Sequence, residues 1–366
     1  MRDYDLTGES GRRAVEIGLA AADWYHTEVP RKEMKQLMKR RDGPAIRDSI
    51  IYYGAMIVLG GLAAWLWPSG WAVPVFLVYG VLYASGADSR WHEAGHGTAF
   101  KTPWMNTAVY HIACFMILRN PTIWRWSHAR HHTDTIIVGR DPEIVTMRPP
   151  DVFKVVFLIF GLHSIDGFFK MFRYATTGLN AAEKTYVPES EHGKARRAAR
   201  VWVAIFAVTF LSAFLLGSIV PLLLIGGPVI YGSWHFLLTG LLQHTGLADN
   251  VIDHRLNSRT VLMNPISRFI YWNMNYHVEH HMFPMVPYHA LPALHAKIRH
   301  DLPAPNQSIA EGLGEVFGAL RRQLTDKEFR IEKALPPTAR PYRMDLHAEA
   351  LGLPSEGVEG RTLPAE

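Results

Sequence analysis

The chain has 366 residues, of which 48% are hydrophobic, only 19% are charged and 19 are histidines, with a formal net charge of +5. Soluble domains carry about 25% charged residues, so this composition excludes a disordered chain and favours a membrane or very apolar protein. The single cysteine, Cys114, excludes an intramolecular disulfide framework, cysteine-based zinc sites and iron–sulfur clusters.

Two long stretches carry no Lys or Arg, one between Arg47 and Arg90 and one between Arg200 and Arg255. Because a membrane helix needs about 20 mostly apolar residues, each stretch predicts two membrane helices joined by a short turn. The predicted helices cover residues 50–67, 71–87, 201–216 and 219–242. The expected fold is therefore an all-α integral membrane protein with four transmembrane helices in two hairpins. Buried hairpins in a soluble helical protein are the alternative, which the length of the uncharged runs disfavours.

Basic residues lie on one side of these hairpins. Residues 31–47 contain seven Lys and Arg, whereas both hairpin turns are uncharged, so the positive-inside rule predicts that both termini and the middle loop are cytoplasmic. We expect a basic cytoplasmic segment (1–47), a membrane domain (48–302) and a cytoplasmic tail (303–366). The tail contains a predicted amphipathic helix near 309–324, and roughly its last 30 residues are expected to be loose. The basic charge faces anionic lipid, so no nucleic-acid partner is expected.

Two further apolar segments, 104–118 and 152–169, are short or interrupted by polar residues. Both are better explained as helices lying in the membrane interface, although spanning is left open. Together with the cytoplasmic segments they would form a helical cap over the membrane domain.

Histidines cluster with helical spacing on the predicted cytoplasmic side. Residues i and i+3 or i+4 share a helix face, whereas adjacent residues point about 100° apart, so an HxxHH cluster can reach two metal ions. The arrangement suits a dinuclear site with four or five nitrogens for each metal. The candidate ligands are His92 and His96; His128, His131 and His132; His277, His280 and His281; and His244 at the end of the fourth predicted helix.

The remaining histidines are interpreted as ordinary surface or interfacial residues. His235 is left open, because an ionisable group within a membrane helix is functional by default but this one lies far along the helix from the clusters. The others include His26, His111, His163, His192, His289 and His295.

The HxxxH, HxxHH and HxxHH series, with the sequence NYHVEHHMFP at 275–284 and GRDPE at 139–143, resembles the membrane fatty-acid desaturase and hydroxylase superfamily, in its bacterial type. The resemblance covers about two thirds of the chain. It implies a non-haem di-iron centre of two iron ions, O2 as co-substrate, external electrons, and the eight box histidines plus His244 as ligands. Gly240 stands where some members place a metal-proximal Asn, so that role is not carried over, and Gln243 lies on a different face.

Three carboxylates are the expected hydrogen-bond acceptors for the free ring N–H of ligand histidines. They are Glu93, Asp141 and Glu279. Such partners fix the tautomer and orientation of a ligand ring.

The expected function is O2-dependent oxidation of an aliphatic C–H bond, foremost desaturation of an acyl chain or lipid, in a bacterial inner membrane with the site facing the cytoplasm. The expected electron donor is a ferredoxin or haem carrier with its reductase. A di-iron hydroxylase acting on a lipid or on a smaller amine or amino-acid-like substrate is the alternative.

His92-Glu93-Ala94-Gly95-His96 is also an HExxH motif, the signature of zinc metalloproteases. An intramembrane protease is the remote alternative, because it leaves six clustered histidines unexplained. Transport is disfavoured, because transporters place ionisable groups near the bilayer midplane, whereas the histidines of this chain cluster on one predicted side of the membrane.

Overall fold

A computed structural model of the protein describes residues 2–343. Within this range the chain is all-helical and forms no β-strand, only two isolated bridges. The α-helices are, in chain order, α1 (Glu9–Glu16), α2 (Arg31–Leu37), α3 (Asp42–Leu66), α4 (Ala72–Val81), α5 (Ala87–Gly95), α6 (Pro103–Met116), α7 (Pro121–Thr133), α8 (Val152–Ile159), α9 (His163–Ala175), α10 (Ala181–Lys184), α11 (His192–Leu215), α12 (Val220–Leu224), α13 (Pro228–Tyr231), α14 (Ser233–His244), α15 (His254–Asn257), α16 (Pro265–Ile270), α17 (His277–Met282), α18 (Leu291–Ile298) and α19 (Ile309–Gln323).

Three helical stretches are long and apolar enough to cross a membrane, namely Arg31–Leu66, Ala72–Gly95 and Glu189–Leu215. They cover the first three predicted spans to within one residue. In the second, a π-helical turn at Leu82–Gly86 joins α4 to α5. Large apolar side chains point outward from these helices, as Ile57 and Phe214 do, with 76% and 82% of their surface exposed. Such surfaces fit contact with lipid, so the chain is a membrane protein.

The fourth predicted span differs from the expectation of one continuous helix. Residues 219–242 fold as α12, α13 and most of α14, with breaks at Gly226 and Gly232. Gly226 has a positive φ of 85°, which favours glycine, and Pro228 lacks the N–H that a helix interior needs. A Cβ on Gly232 would lie 1.9 Å from the carbonyl oxygen of Gly80, so this break lets the segment pack directly against α4.

The two ambiguous segments form short helices. α6 has 14 residues, about 21 Å of helix, which is less than the roughly 30 Å hydrocarbon core. α8 and α9 meet at an angle of 85° and reach the length and composition of a span only when they are taken together. Gly161 makes this bend with a φ of 69°. The described chain thus has three candidate spans, or four if the bent pair counts as one.

The C-terminal segment packs on the helical body. α19 confirms the amphipathic helix predicted near 309–324 and lies against α14. Of the roughly 30 C-terminal residues that were expected to be loose, those from residue 344 onward lie outside the described range.

A buried ion-pair network ties the cap together. Arg255 is fully buried and pairs with Asp253 at 2.7 Å and with Asp301 at 3.0 Å. Its guanidinium also lies 3.8 Å from the centroid of the Tyr25 ring. Removing one partner of a buried pair leaves an uncompensated charge, so this network holds the N-terminal segment, α15 and the region after α18 in fixed relative positions beside the histidines.

We predict that the two hairpin turns lie on the membrane side opposite to the cap. In a Cys114→Ala background, cysteines placed at Ser69 and Ser218 should react with a membrane-impermeant maleimide from one side of sealed vesicles. A cysteine at the exposed Ala304 should react only from the other side. Labelling of all three positions from the same side would contradict this arrangement.

Candidate metal centre

Four helix ends carry the clustered histidines to one place. α5 ends at Gly95, so His92 lies in its last turn and His96 caps it. α7 and α17 bring the two HxxHH clusters, and His244 is the last residue of α14. Asn120 caps α7, because its side chain accepts hydrogen bonds from the first turn and donates to Ala195 O of α11 at 2.9 Å.

All nine candidate ligands meet in two adjacent groups, and the metal-binding nitrogens within each group lie within 4.8 Å of one another. Adjacent histidines of each HxxHH cluster fall into different groups, as the 100° rotation between neighbours requires. Site A consists of His92, His96, His128, His132 and His280, and site B of His131, His244, His277 and His281.

Ring nitrogens face one another at distances that suit a common ion. The Nε2 atoms of His96 and His128 lie 3.0 Å apart in site A, and those of His244 and His277 lie 2.9 Å apart in site B. Ligands at right angles with metal–nitrogen bonds of about 2.1 Å would be about 3 Å apart. Both ring nitrogens of the buried His92 lack a hydrogen-bond partner within the described chain. The donor set and its orphaned nitrogens therefore fit a metal ion in each group.

Burial keeps most of these rings neutral, which is the form that binds metal. It lowers the pKa of His128, His132, His280 and His281 well below the ordinary value. His131 differs: burial also lowers its pKa, but the Asp141 carboxylate more than offsets this, so the pKa is raised.

Acceptors behind the rings fix the orientation of two ligands, His131 and His244. His131 Nδ1 donates to Asp141 Oδ2 at 2.8 Å, as expected for Asp141, and His244 Nδ1 donates to Asn257 O at 2.8 Å. A proton on Nδ1 leaves Nε2 free to bind a metal.

Glu143 is a partner that the sequence reasoning missed. It accepts from His128 Nδ1 at 3.1 Å and from Ser127 Oγ at 2.8 Å. Burial raises the pKa of this carboxyl to about 7. The sequence carries a signal for this role, because Glu143 follows Asp141 by two residues in the GRDPE segment at 139–143, about ten residues after the second histidine cluster.

Glu93 and Glu279 differ from the expectation that they accept hydrogen bonds from ligand histidines, because neither contacts a candidate ligand. The Glu93 carboxylate accepts from Thr98 Oγ1 at 2.7 Å and from the backbone N–H of Tyr288 at 3.1 Å. Glu279 accepts from Thr260 Oγ1 at 2.6 Å and from His295 Nδ1. Each follows or precedes a ligand by one residue and therefore points away from the metal face. These carboxylates hold the loops around α17 in place.

The other histidines of the described chain join neither group. His235 hydrogen-bonds Ser85 Oγ at 3.1 Å, and Gln243 donates to Tyr271 Oη at 2.5 Å, so neither is placed to bind the metals. His254, which the sequence reasoning did not single out, is buried. Its ring stacks on Trp24 at 4.2 Å and lies 5.0 Å from that of His281.

A cavity of about 450 Å³ borders both sites. Its wall includes His92 and His128 of site A together with His131, His244 and His277 of site B. A molecule in this cavity would therefore reach both metal positions. The arrangement can hold two ions beside a substrate while the buried surroundings limit access of water.

Comparison with known proteins places these residues in a family context. The model of the family described as "Fatty acid desaturase" matches residues 67–312, a range that includes all nine clustered histidines. A chloroplastic omega-3 fatty acid desaturase of Glycine max is 25% identical over 69% of this chain and 58% of its own length. The acyl-lipid omega-3 desaturase (cytochrome b5) of the Arabidopsis thaliana endoplasmic reticulum is 25% identical over 67% of each chain. Fatty acid desaturase 3 of Homo sapiens is 26% identical over 64% of this chain and 57% of its own length.

We predict that two metal ions bind to each chain and that neighbouring residues serve different ions. His280→Ala should weaken one ion and His281→Ala the other, because these rings belong to site A and site B. Chelator titration followed by elemental analysis would measure this, with the exposed His26→Asn as the control. Loss of the same ion in both variants would contradict the assignment.

Asp141→Asn and Glu143→Gln should each lower metal affinity about 10- to 100-fold, since both carboxylates orient a ligand ring. Glu93→Gln provides the matched control, because it removes a buried carboxylate charge that contacts no ligand histidine. Metal affinity is measured by competition with a chelator, and thermal unfolding shows whether each variant folds. A larger loss in Glu93→Gln than in Glu143→Gln would contradict these roles.

Proposed function

The chain belongs to the fatty acid desaturase family. We propose that it catalyses O2-dependent oxidation of an aliphatic C–H bond, and that this reaction is the desaturation of an acyl chain. The observation that carries this proposal is the set of nine buried or half-buried histidines, divided into two groups that border one cavity. The first three relatives match over 58–67% of their own length, so activity, substrate and partners are proposals for this chain.

Two iron ions are the proposed cofactor, one held by the five histidines of site A and the other by the four of site B. Imidazole nitrogen suits iron, zinc and copper, and zinc has no redox chemistry. Bound iron would supply the electron transfer that activates O2 toward a C–H bond.

The residues around the metals hold and shield the substrate. The cavity wall between the sites and the membrane helices is apolar at Trp91, Trp124 and Phe236, which excludes water from the reacting carbon. Asp141 and Glu143 hold the rings of His131 and His128 in the orientation that would bind the metals.

Desaturation and hydroxylation differ in the fate of the two oxygen atoms of O2. In desaturation, two substrate hydrogens, two electrons and two protons convert O2 to two waters. Hydroxylation uses the same electrons and protons but leaves one oxygen atom in the product. The relatives are desaturases by name, which favours desaturation, and hydroxylation of a lipid or of a smaller amine or amino-acid-like substrate is the alternative.

The zinc-protease alternative is disfavoured by the position of Glu93. That mechanism needs the motif glutamate as a general base beside the metal, but the Glu93 carboxylate faces Thr98 and Tyr288. The protease also has no use for the other seven histidines that share the two sites.

An external carrier is proposed to supply the electrons, because relatives of this chain carry the words cytochrome b5 and ferredoxin in their names. We place the site on the cytoplasmic side of a bacterial inner membrane, since the Lys and Arg of residues 31–47 precede and begin the first membrane helix.

The test is a reconstituted reaction in 18O2 with a reductase and carrier, analysed by mass spectrometry. We expect a product lighter by two hydrogens that carries no label. One labelled oxygen atom in the product would replace desaturation with hydroxylation. Product formation without O2 or reductant would overturn the oxidase proposal, and so would full activity in His277→Ala combined with complete loss in Glu93→Gln.

A further inference from the structure

Charged side chains occupy the cavity wall beside the metal sites, where a pure hydrocarbon would need none. Arg119 Nη1 donates to Asp88 Oδ1 at 2.6 Å, and both residues line the cavity. The Arg119 side chain is 21% exposed and that of Asp88 14%. The pair is therefore mostly removed from water but remains accessible to a molecule in the cavity.

Two indole rings fix the position of this pair. The Arg119 guanidinium lies 4.7 Å from the Trp91 ring centroid and 4.3 Å from that of Trp124. Trp91 Nε1 also donates to Asp88 Oδ1 at 3.1 Å. Arginine held between aromatic faces loses little further conformational freedom when it binds a ligand.

The same indole connects the pair to site A. The Trp91 ring lies 5.1 Å from the ring of His128 and 5.8 Å from that of His92. One aromatic ring thus separates the Asp88–Arg119 pair from the ligands of site A, so a substrate can contact both at once.

The pair offers hydrogen-bond donors to the cavity. Within the described chain, Arg119 donates only to Asp88, and no other protein acceptor contacts its guanidinium. Because Asp88 balances the positive charge, the free N–H groups suit a neutral acceptor such as an ester-type carbonyl oxygen rather than a free anion.

We propose that Arg119, positioned by Asp88 and Trp91, binds the carbonyl oxygen of the acyl substrate and so determines which carbon reaches the metals. The reacting position is then counted from the carbonyl end of the chain and not from its methyl end. This inference rests on the proposed function for the identity of the reaction, but carbonyl binding itself does not depend on turnover.

A chain-length series tests the counting rule. Cells that express the protein receive fatty acids of 14, 16 and 18 carbons, and mass spectrometry locates the new double bond or hydroxyl group. We expect a constant distance from the carbonyl carbon in all three products. A constant distance from the methyl end would overturn the proposal while leaving the oxidase function intact.

A binding experiment separates this inference from the proposed function. Radiolabelled methyl hexadecanoate is bound to the detergent-solubilised, metal-loaded protein in the absence of reductant and displaced by unlabelled ester or by hexadecane, which lacks the carbonyl. The wild type should prefer the ester by about tenfold or more, as expected for loss of a hydrogen bond to a charged group. Equal displacement by the two probes would overturn the proposal even if the enzyme is active. An ester preference in a protein that shows no O2-dependent product would support it and reject the proposed function instead.

Variants assign the preference to the pair. Arg119→Gln should abolish the ester preference and give products oxidised at several positions along the chain. Asp88→Asn/Arg119→Gln should have the same effect without leaving an unpaired carboxylate. Arg140→Gln is the matched control, because Arg140 pairs with Asp134 at 3.0 Å, is 24% exposed and, like Asp134, lies outside the cavity lining. Metal content should stay unchanged in all three. An ester preference that survives in the double variant would overturn the assignment.

Discussion

Nine imidazole rings, six of them buried and three half-buried, meet at one end of the helical body, and the rest of the structure accommodates this constraint. A buried polar nitrogen without a partner costs about 1–3 kcal/mol, and the nitrogens of sites A and B face mainly each other. A metal ion in each group would satisfy them together. Folding of this region and metal binding are therefore coupled. The packing of the surrounding helices must offset the free-energy cost of removing the ring nitrogens from water.

The frame that holds them combines membrane and cap elements. α5 is the end of a candidate span and also carries His92, so the position of the metals is tied to the depth of that helix in the membrane. Glu93, one residue further, holds the loop after α17 through Tyr288. Glu93, which faces away from the metals, thus links α5 to the loop after α17, while Asp141 and Glu143 contact ligand rings directly.

The sequence alone predicts the features that follow from the periodicity of a helix, namely the apolar spans and the division of the histidines between two groups. Runs without Lys or Arg located three candidate membrane spans, and the family resemblance is confirmed. The 100° rotation between neighbours explains why His131 and His132 belong to different groups. Contacts between distant segments were not predictable. Gly232 breaks the fourth predicted helix where the chain packs against the Gly80 backbone. Glu93 and Glu143 differ in role because Glu93 accepts a hydrogen bond from Thr98, whereas Glu143 accepts one from the candidate ligand His128.

The Asp88–Arg119 pair is explained by recognition better than by stability. Replacing a buried ion pair with apolar residues of similar volume is often neutral or stabilising, so a protein that needed only a tight wall beside its metals would have no reason to keep one there. Trp91 contacts both the pair and the ligands of site A, which couples a polar group of the substrate to the position of the reacting carbon. Apolar walls alone give a hydrocarbon chain no fixed register, because successive CH2 groups are equivalent. One directional hydrogen bond near the metals is sufficient to set that register.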